Sequence, residues 1–239
     1  MQFPCFIDMI HISLFVVSGI AYVLRYELFE KDPPDTMITA YDKAFPVMLL
    51  AAYVTSMKQP DKNHPNEPEE LLSYVILGLM LSSLGDVCLI FPQTLIIPGI
   101  VVYMFAHVCY SFAFGTYMGT KFMKIVFFLL WVAGFIVIQL NIPTYTMQMI
   151  FMVSSYLLFT TGWMATARCE SQQTIGAFIA SLGAIILVSS HSLIAIKTWL
   201  FPAANSEYVV MVTYYGAHLG IVLGTNPSLN VRAIAREGD

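Results

Sequence analysis

The sequence predicts an all-α polytopic membrane protein, a bundle of eight transmembrane helices forming one domain over residues 1–239. Three observations carry that prediction. Of 239 residues, 58% are hydrophobic and 11% charged, with a mean hydropathy of +0.73, a composition foreign to an ordinary soluble domain. The apolar residues gather in runs of about 17 to 25, each long enough to cross a bilayer as a helix. Between the runs stand short proline-rich or polar clusters, which mark turns outside the hydrocarbon.

The first run is Cys5 to Leu24. Asp8 and His11 interrupt its start, no small-residue cleavage site follows and Arg25 closes it, so it reads as a membrane helix rather than a signal peptide. KDPPDT separates it from Tyr41 to Met57, and KQPDKNHPNEPEE, residues 58–70, is the long hydrophilic loop that follows. The third span is Leu71 to Phe91 and the fourth Leu95 to Met118, with the prolines at 92 and 98 read as the break between them. Next come Phe122 to Leu140, ended by NIP, then Tyr145 to Ala167 and Ile175 to Trp199. FPAANSE introduces the last, Tyr208 to Asn226. An even number of spans puts both termini on one side. That side collects seven Lys and Arg (Lys58, Lys62, Lys121, Lys124, Arg168, Arg232, Arg236) against four on the other (Arg25, Lys31, Lys43, Lys197). By the positive-inside rule the termini and the 58–70 loop are cytosolic.

A net charge of -4 without a basic run excludes nucleic acid as a partner. Cys5, Cys88, Cys109 and Cys169 show no C-x-x-C pairing and read as free thiols. No phosphate-binding loop or G-x-S-x-G elbow is present. The residue that demands a use is Asp86, one carboxylate inside the apolar run LSSLGDVCLIFP. An intramembrane acid costs roughly 2.5 to 3.5 kcal/mol on insertion scales and faces a partner or a watery cavity. At about 1.5 Å per residue, Asp86 and His191 lie roughly 22 and 24 Å from the cytosolic edge, and Lys43 and Tyr214 roughly 3 and 9 Å below the far edge. These four share a level. His107 and His218 fall deeper, roughly 15 to 18 Å along their helices.

The upper group can be an acid/base site tuned by burial, or Lys43 and Asp86 can be an ion pair that registers the helices. Zinc bound by His107, His191, His218 and Asp86 is a further reading, set against imidazoles that bond across helices. No H-E-x-x-H spacing supports zinc. Ser82, Ser83, Ser189, Ser190 and Ser192 flank the two key positions, where intramembrane serines commonly bond back to their own helix. Gly216, Gly220 and Gly224 form a G-x-x-x-G-x-x-x-G face for close helix approach.

DKAFPVMLL at 42–50, GLMLSSLGDVCLIFP at 78–92, FAHVCYSFAF at 105–114, GAIILVSSHSLIAI at 183–196 and VTYYGAHLGIVLG at 212–224 together resemble the lysoplasmalogenase family, the YhhN-like membrane proteins, in its eukaryotic branch. The resemblance implies an eight-helix enzyme, with neither metal nor cofactor, that hydrolyses the vinyl-ether bond of lysoplasmalogens to a fatty aldehyde and the glycerophospho-head group. It implies catalytic roles for Asp86 and His191, and substrate-binding roles for Lys43, His107, Tyr110, Tyr214, Tyr215, Ser82 and Ser190. The expected partners are the lysophospholipid substrate, membrane lipids and a second copy in a homodimer, and the expected location is the endoplasmic reticulum membrane. The chain departs from the family at His191, where an acid usually follows the serine, and at His218, where glutamine is usual. The alternatives are therefore an altered or inactive lipid-binding member, or a zinc-dependent lipid amide hydrolase.

Overall fold

In lipid every backbone N–H must find its acceptor within the segment, so apolar runs of this length become helices. The computed structural model describes residues 6–29, 34–57, 69–117, 119–142, 144–200 and 207–230. Its elements are α1 (Phe6–Tyr22), continued by a π-helical stretch (Val23–Phe29), α2 (Met37–Met57), α3 (Glu69–Leu89), α4 (Pro92–Phe114), α5 (Lys121–Gln139), α6 (Tyr145–Gln172), α7 (Ile175–Trp199) and α8 (Glu207–Gly224). A 3₁₀ turn, Pro227–Leu229, follows. Among the described residues, six helices are long and apolar enough to cross a membrane: α1 with its extension, α2, α3, α4, α6 and α7; the apolar part of α8, Tyr208–Gly224, is shorter. The protein is thus a polytopic all-α membrane protein. Large apolar side chains such as Val17, Met80, Leu130 and Phe178 stand exposed on its outer faces, as a lipid-facing surface requires.

α3 packs against α4 and α2, α7 against α8 and α6, and α6 against α4, with α5 leaning on α6 and lightly on α7. The core is made by residues such as Val47, Leu50, Leu79, Leu187 and Ile221, all essentially sealed from the exterior. Cys88, Cys109 and Cys169 are free; Cys5 lies outside the described residues.

Four expectations change. α2 begins at Met37 rather than Tyr41, because the Thr36 hydroxyl accepts from the Thr39 N–H and caps the first turn. Lys43 is therefore nearly two turns inside the helix. Pro92 and Pro98 do not break the chain: Pro92 opens α4 and Pro98 lies within it, since proline costs nothing in the first turn and membrane helices tolerate it further in. α6 continues past Ala167 to Gln172, which draws Arg168 into the bundle, where its Nε donates to Gln172 and its Nη1 to the Ala113 carbonyl at 3.4 Å. Of the expected glycine face, Gly220 packs on Gly183 and Gly224 on Ala180, while a side chain at Gly216 would meet nothing within 4 Å. Most of the 58–70 loop lies outside the described residues, and Glu69 and Glu70 open α3.

Candidate functional site

Residues three or four apart share a helix face, so Gly78, Ser82, Gly85 and Asp86 make one face of α3, and Tyr103, His107 and Tyr110 one face of α4. The two faces meet head to tail. A Cβ at Gly85 would fall 2.6 Å from the Tyr103 ring, and one at Gly78 would fall 2.5 Å from the Tyr110 ring. Two glycines seven residues apart thus receive two tyrosines seven residues apart. This docking aims both phenols at polar atoms of α3: Tyr103 donates to Asp86 Oδ1 at 2.8 Å, and Tyr110 shares a 3.1 Å hydrogen bond with Ser82 Oγ.

α8 closes the other side. Tyr214 donates to Asp86 Oδ2 at 2.8 Å, and its hydroxyl lies 3.3 Å from that of Tyr103. Each oxygen of a carboxylate only 1% exposed therefore holds one phenol. The Lys43–Asp86 ion pair, one of the two readings of this level, is not formed; the two tyrosines occupy the carboxylate instead. The ion pair seen nearby joins Arg25 Nη1 to Asp42 at 3.6 Å.

Four aromatic rings surround this centre. His191 on α7 lies edge-on to Tyr103 at 5.2 Å and to His107 at 5.3 Å, and 5.9 Å from Tyr214. His218 lies 4.4 Å from Tyr214 and 6.0 Å from Tyr110. The two levels expected from residue counting are thus one continuous cluster, since one helical turn of about 5.4 Å is spanned by ring-to-ring contact. His191 Nδ1 pairs with the Leu187 carbonyl at 3.1 Å and His218 Nδ1 with the Tyr214 carbonyl at 2.9 Å. A carbonyl only accepts, so Nδ1 carries the hydrogen in each ring and Nε2 is left as a lone-pair acceptor when the ring is neutral. Neither Nε2 has a hydrogen-bond partner, nor has His107 Nδ1. Among the described residues no three of His, Cys, Asp and Glu are grouped as a metal site would need.

A cavity of about 420 Å³ abuts the cluster, with Tyr103, His107 and His191 in its wall. The rest of its lining comes from the end of α3, through Leu89, and from α4 to α7, and is almost wholly apolar, including Ile100, Trp131, Phe135, Phe151, Leu158 and Trp199. Its size suits a small ligand or a single chain, within the range of about 300–1,000 Å³ usual for such pockets.

The YhhN family model matches residues 38–225. The chain belongs to the YhhN family. Among known proteins it is similar to the human protein named lysoplasmalogenase TMEM86B, 26% identical over 215 residues that cover 89% of this chain and 84% of the relative. It is also similar to lysoplasmalogenase TMEM86A of Bos taurus, 28% identical over 156 residues, 62% of this chain and 63% of that one, and to lysoplasmalogenase TMEM86B of Rattus norvegicus, 24% identical over 219 residues, 87% and 81%. No solved structure matches.

All nine site residues expected from the sequence fall inside the YhhN match, but they do not converge equally. Asp86, Tyr214, His191, His107, Tyr110 and Ser82 meet in the cluster. Lys43 stands at its edge. Tyr215 points away: its hydroxyl donates to the Lys43 carbonyl at 2.9 Å, and its ring packs on Phe15 and Tyr22. Ser190 is fully buried and donates to the Val210 carbonyl at 2.9 Å, where it joins α7 to α8. Tyr103, absent from the expected set, touches both Asp86 and the cavity. Its i, i+4, i+7 spacing with His107 and Tyr110 was the signal for it in this YhhN sequence.

Proposed function

We propose that this protein is an intramembrane hydrolase of the lysoplasmalogenase type, cleaving the vinyl-ether bond of a lysoplasmalogen. The observation that carries the reading is Asp86, buried with a phenol on each oxygen, one of them Tyr103 in the wall of an apolar cavity. The relatives' names support the same chemistry. A vinyl ether resists nucleophiles but accepts a proton at its β-carbon. In the acid form of Asp86 the 2.8 Å bond to Tyr103 runs the other way, carboxyl O–H to phenol oxygen, which frees the Tyr103 hydroxyl hydrogen. With the alkenyl chain in the cavity, that hydrogen goes to the β-carbon as the Asp86 proton passes to the Tyr103 oxygen. The products are an oxocarbenium ion and the Asp86 carboxylate, whose opposite charges stabilise each other in a water-poor site.

Water then attacks the cationic carbon while His191 Nε2 takes its proton, giving a hemiacetal and an imidazolium. Collapse returns the hemiacetal hydroxyl proton to Asp86 through Tyr103, and the imidazolium protonates the departing glyceryl oxygen. One water is consumed, an aldehyde and a glycerophospho-head group leave, and both side chains are restored. The cluster is complete within one chain, so a homodimer adds nothing to the chemistry. The seven-to-four Lys and Arg bias supports cytosolic termini; the endoplasmic reticulum is the membrane we propose for it.

A second reading has an observation of its own: with Asp86 only 1% exposed and imidazole in place of the usual acid, the cavity can bind a lysolipid without turnover. Aldehyde release from a lysoplasmalogen by the detergent-purified protein, with the saturated alkyl ether as control, separates them. The hydrolase reading expects release from the vinyl ether alone and its loss in Asp86→Asn. Full activity in that variant removes Asp86 from the mechanism, and binding without release by the wild type selects the second reading.

A further inference from the structure

The cavity has one wall that the chemistry leaves unused. α5 reaches it through Trp131, Ala133, Gly134, Phe135 and Val137. With 3.6 residues per turn, these positions fan out to both sides of Gly134, which therefore sits in the middle of the face that α5 turns to the cavity. A Cβ built at Gly134 meets nothing within 4 Å, whereas at Gly162 on α6 it would lie 2.8 Å from the Phe127 ring. Gly162 is a close-packing glycine; Gly134 is a glycine that leaves space.

The rest of the wall says what the space holds. Three of its four Ser and Thr hydroxyls bond back to their own helices, Ser155 donating to the Met152 carbonyl, Ser192 to Val188 and Thr198 to Ile194; Ser154 is the fourth. Away from Tyr103, His107 and His191 the cavity therefore presents almost only hydrocarbon, Ser154 apart, and its about 420 Å³ is a single-chain volume. We propose that the cavity is a measuring pocket for one hydrocarbon chain of a single-chain ether lipid, and that Gly134 sets the longest chain it accepts. This rests on the reading that the chain lies here with its reactive end at Tyr103 and His191.

The test uses the full chain in detergent with Trp163 replaced by Phe. Trp163 is not among the cavity residues, whereas Trp131 and Trp199 are, so quenching of the remaining tryptophans by saturated-ether lysolipids bromine-tagged at the chain end reports occupancy. Chains of graded length are compared in wild type, Gly134→Ala and Gly134→Leu, and aldehyde release is followed with vinyl-ether lysolipids of the same lengths. Since a single methylene in an apolar pocket changes selection by about tenfold or more, Gly134→Leu should weaken the longest chains at least about tenfold and leave the shortest unchanged. Gly134→Ala should give a smaller shift in the same direction. Equal loss at every length, or no change at any, overturns the proposal. Length-dependent binding without aldehyde release supports the pocket and rejects the hydrolase; release with a length profile untouched by either substitution rejects the pocket alone.

Discussion

Tyr103→Phe isolates the proton path. The substitution keeps the ring that fills the space over Gly85 and removes one hydroxyl, the donor to Asp86 Oδ1 at 2.8 Å. A hydrogen bond to a charged group contributes about 1.5–3 kcal/mol; lost from the transition state alone, that is about 10- to 150-fold in rate. Tyr214→Phe removes the matching bond to Oδ2, also 2.8 Å, but Tyr214 is not in the cavity wall. The two variants should therefore lose similar stability, read as the thermal midpoint in detergent. They should differ in aldehyde release, where Tyr103→Phe loses kcat with KM little changed and Tyr214→Phe loses less. In an Asp86→Asn background, replacing Tyr103 should cost almost nothing more, since residues acting as one unit are not additive. Equal activity in the two single variants, or a higher rate in Tyr103→Phe, would refute the relay through Tyr103.

Gly85→Ala places a methyl 2.6 Å from the Tyr103 ring and should destabilise by about 1–3 kcal/mol through overpacking. Gly216→Ala, with nothing within 4 Å, should be neutral or stabilising by up to about 1 kcal/mol; the order of the two thermal midpoints checks the α3–α4 docking. His191→Ala should lower aldehyde release by about 10²- to 10⁴-fold, the usual worth of a positioned base, while His191→Asp keeps part of it because a carboxylate also accepts a proton. An inactive wild type restored by His191→Asp would instead show that the imidazole is a loss.

The helices were legible because apolar run length speaks directly to bilayer thickness, and Asp86 stood out because a carboxylate in such a run is costly and calls for a partner or a use. Tyr214 and His191 were placed at its level by counting along their helices, and both lie within ring or hydrogen-bond contact of the Asp86–Tyr103 pair. The same counting set His107 and His218 apart, since it measures height along an axis and ignores the reach of an aromatic ring across one turn. Tyr103 was passed over as one of 13 tyrosines, its meaning depending on which α3 face it docks against. The cavity could not be read at all: Trp131, Phe135, Phe151 and Leu158 are apolar residues among many, and only tertiary packing decides which of them border a void. Ser190 entered the expected set through the family resemblance; its hydroxyl donates to the Val210 carbonyl, a direction apart from His191 because neighbours in a helix point about 100° apart.

The tight α3–α4 turn, where the Ile90 and Phe91 N–H groups return to the Val87 and Cys88 carbonyls, bears on how the chain enters its membrane. Tyr103 follows Asp86 by 17 residues, whereas Tyr214 follows it by 128. During synthesis the carboxylate must reach the bilayer long before α8 exists, and an unpartnered acid there is costly. The α3–α4 hairpin supplies the first phenol within its own span, so it can insert as a unit with one carboxylate oxygen already satisfied. The second waits for the last helix, which makes the arrival of α8 the step that completes both the assembly and the site.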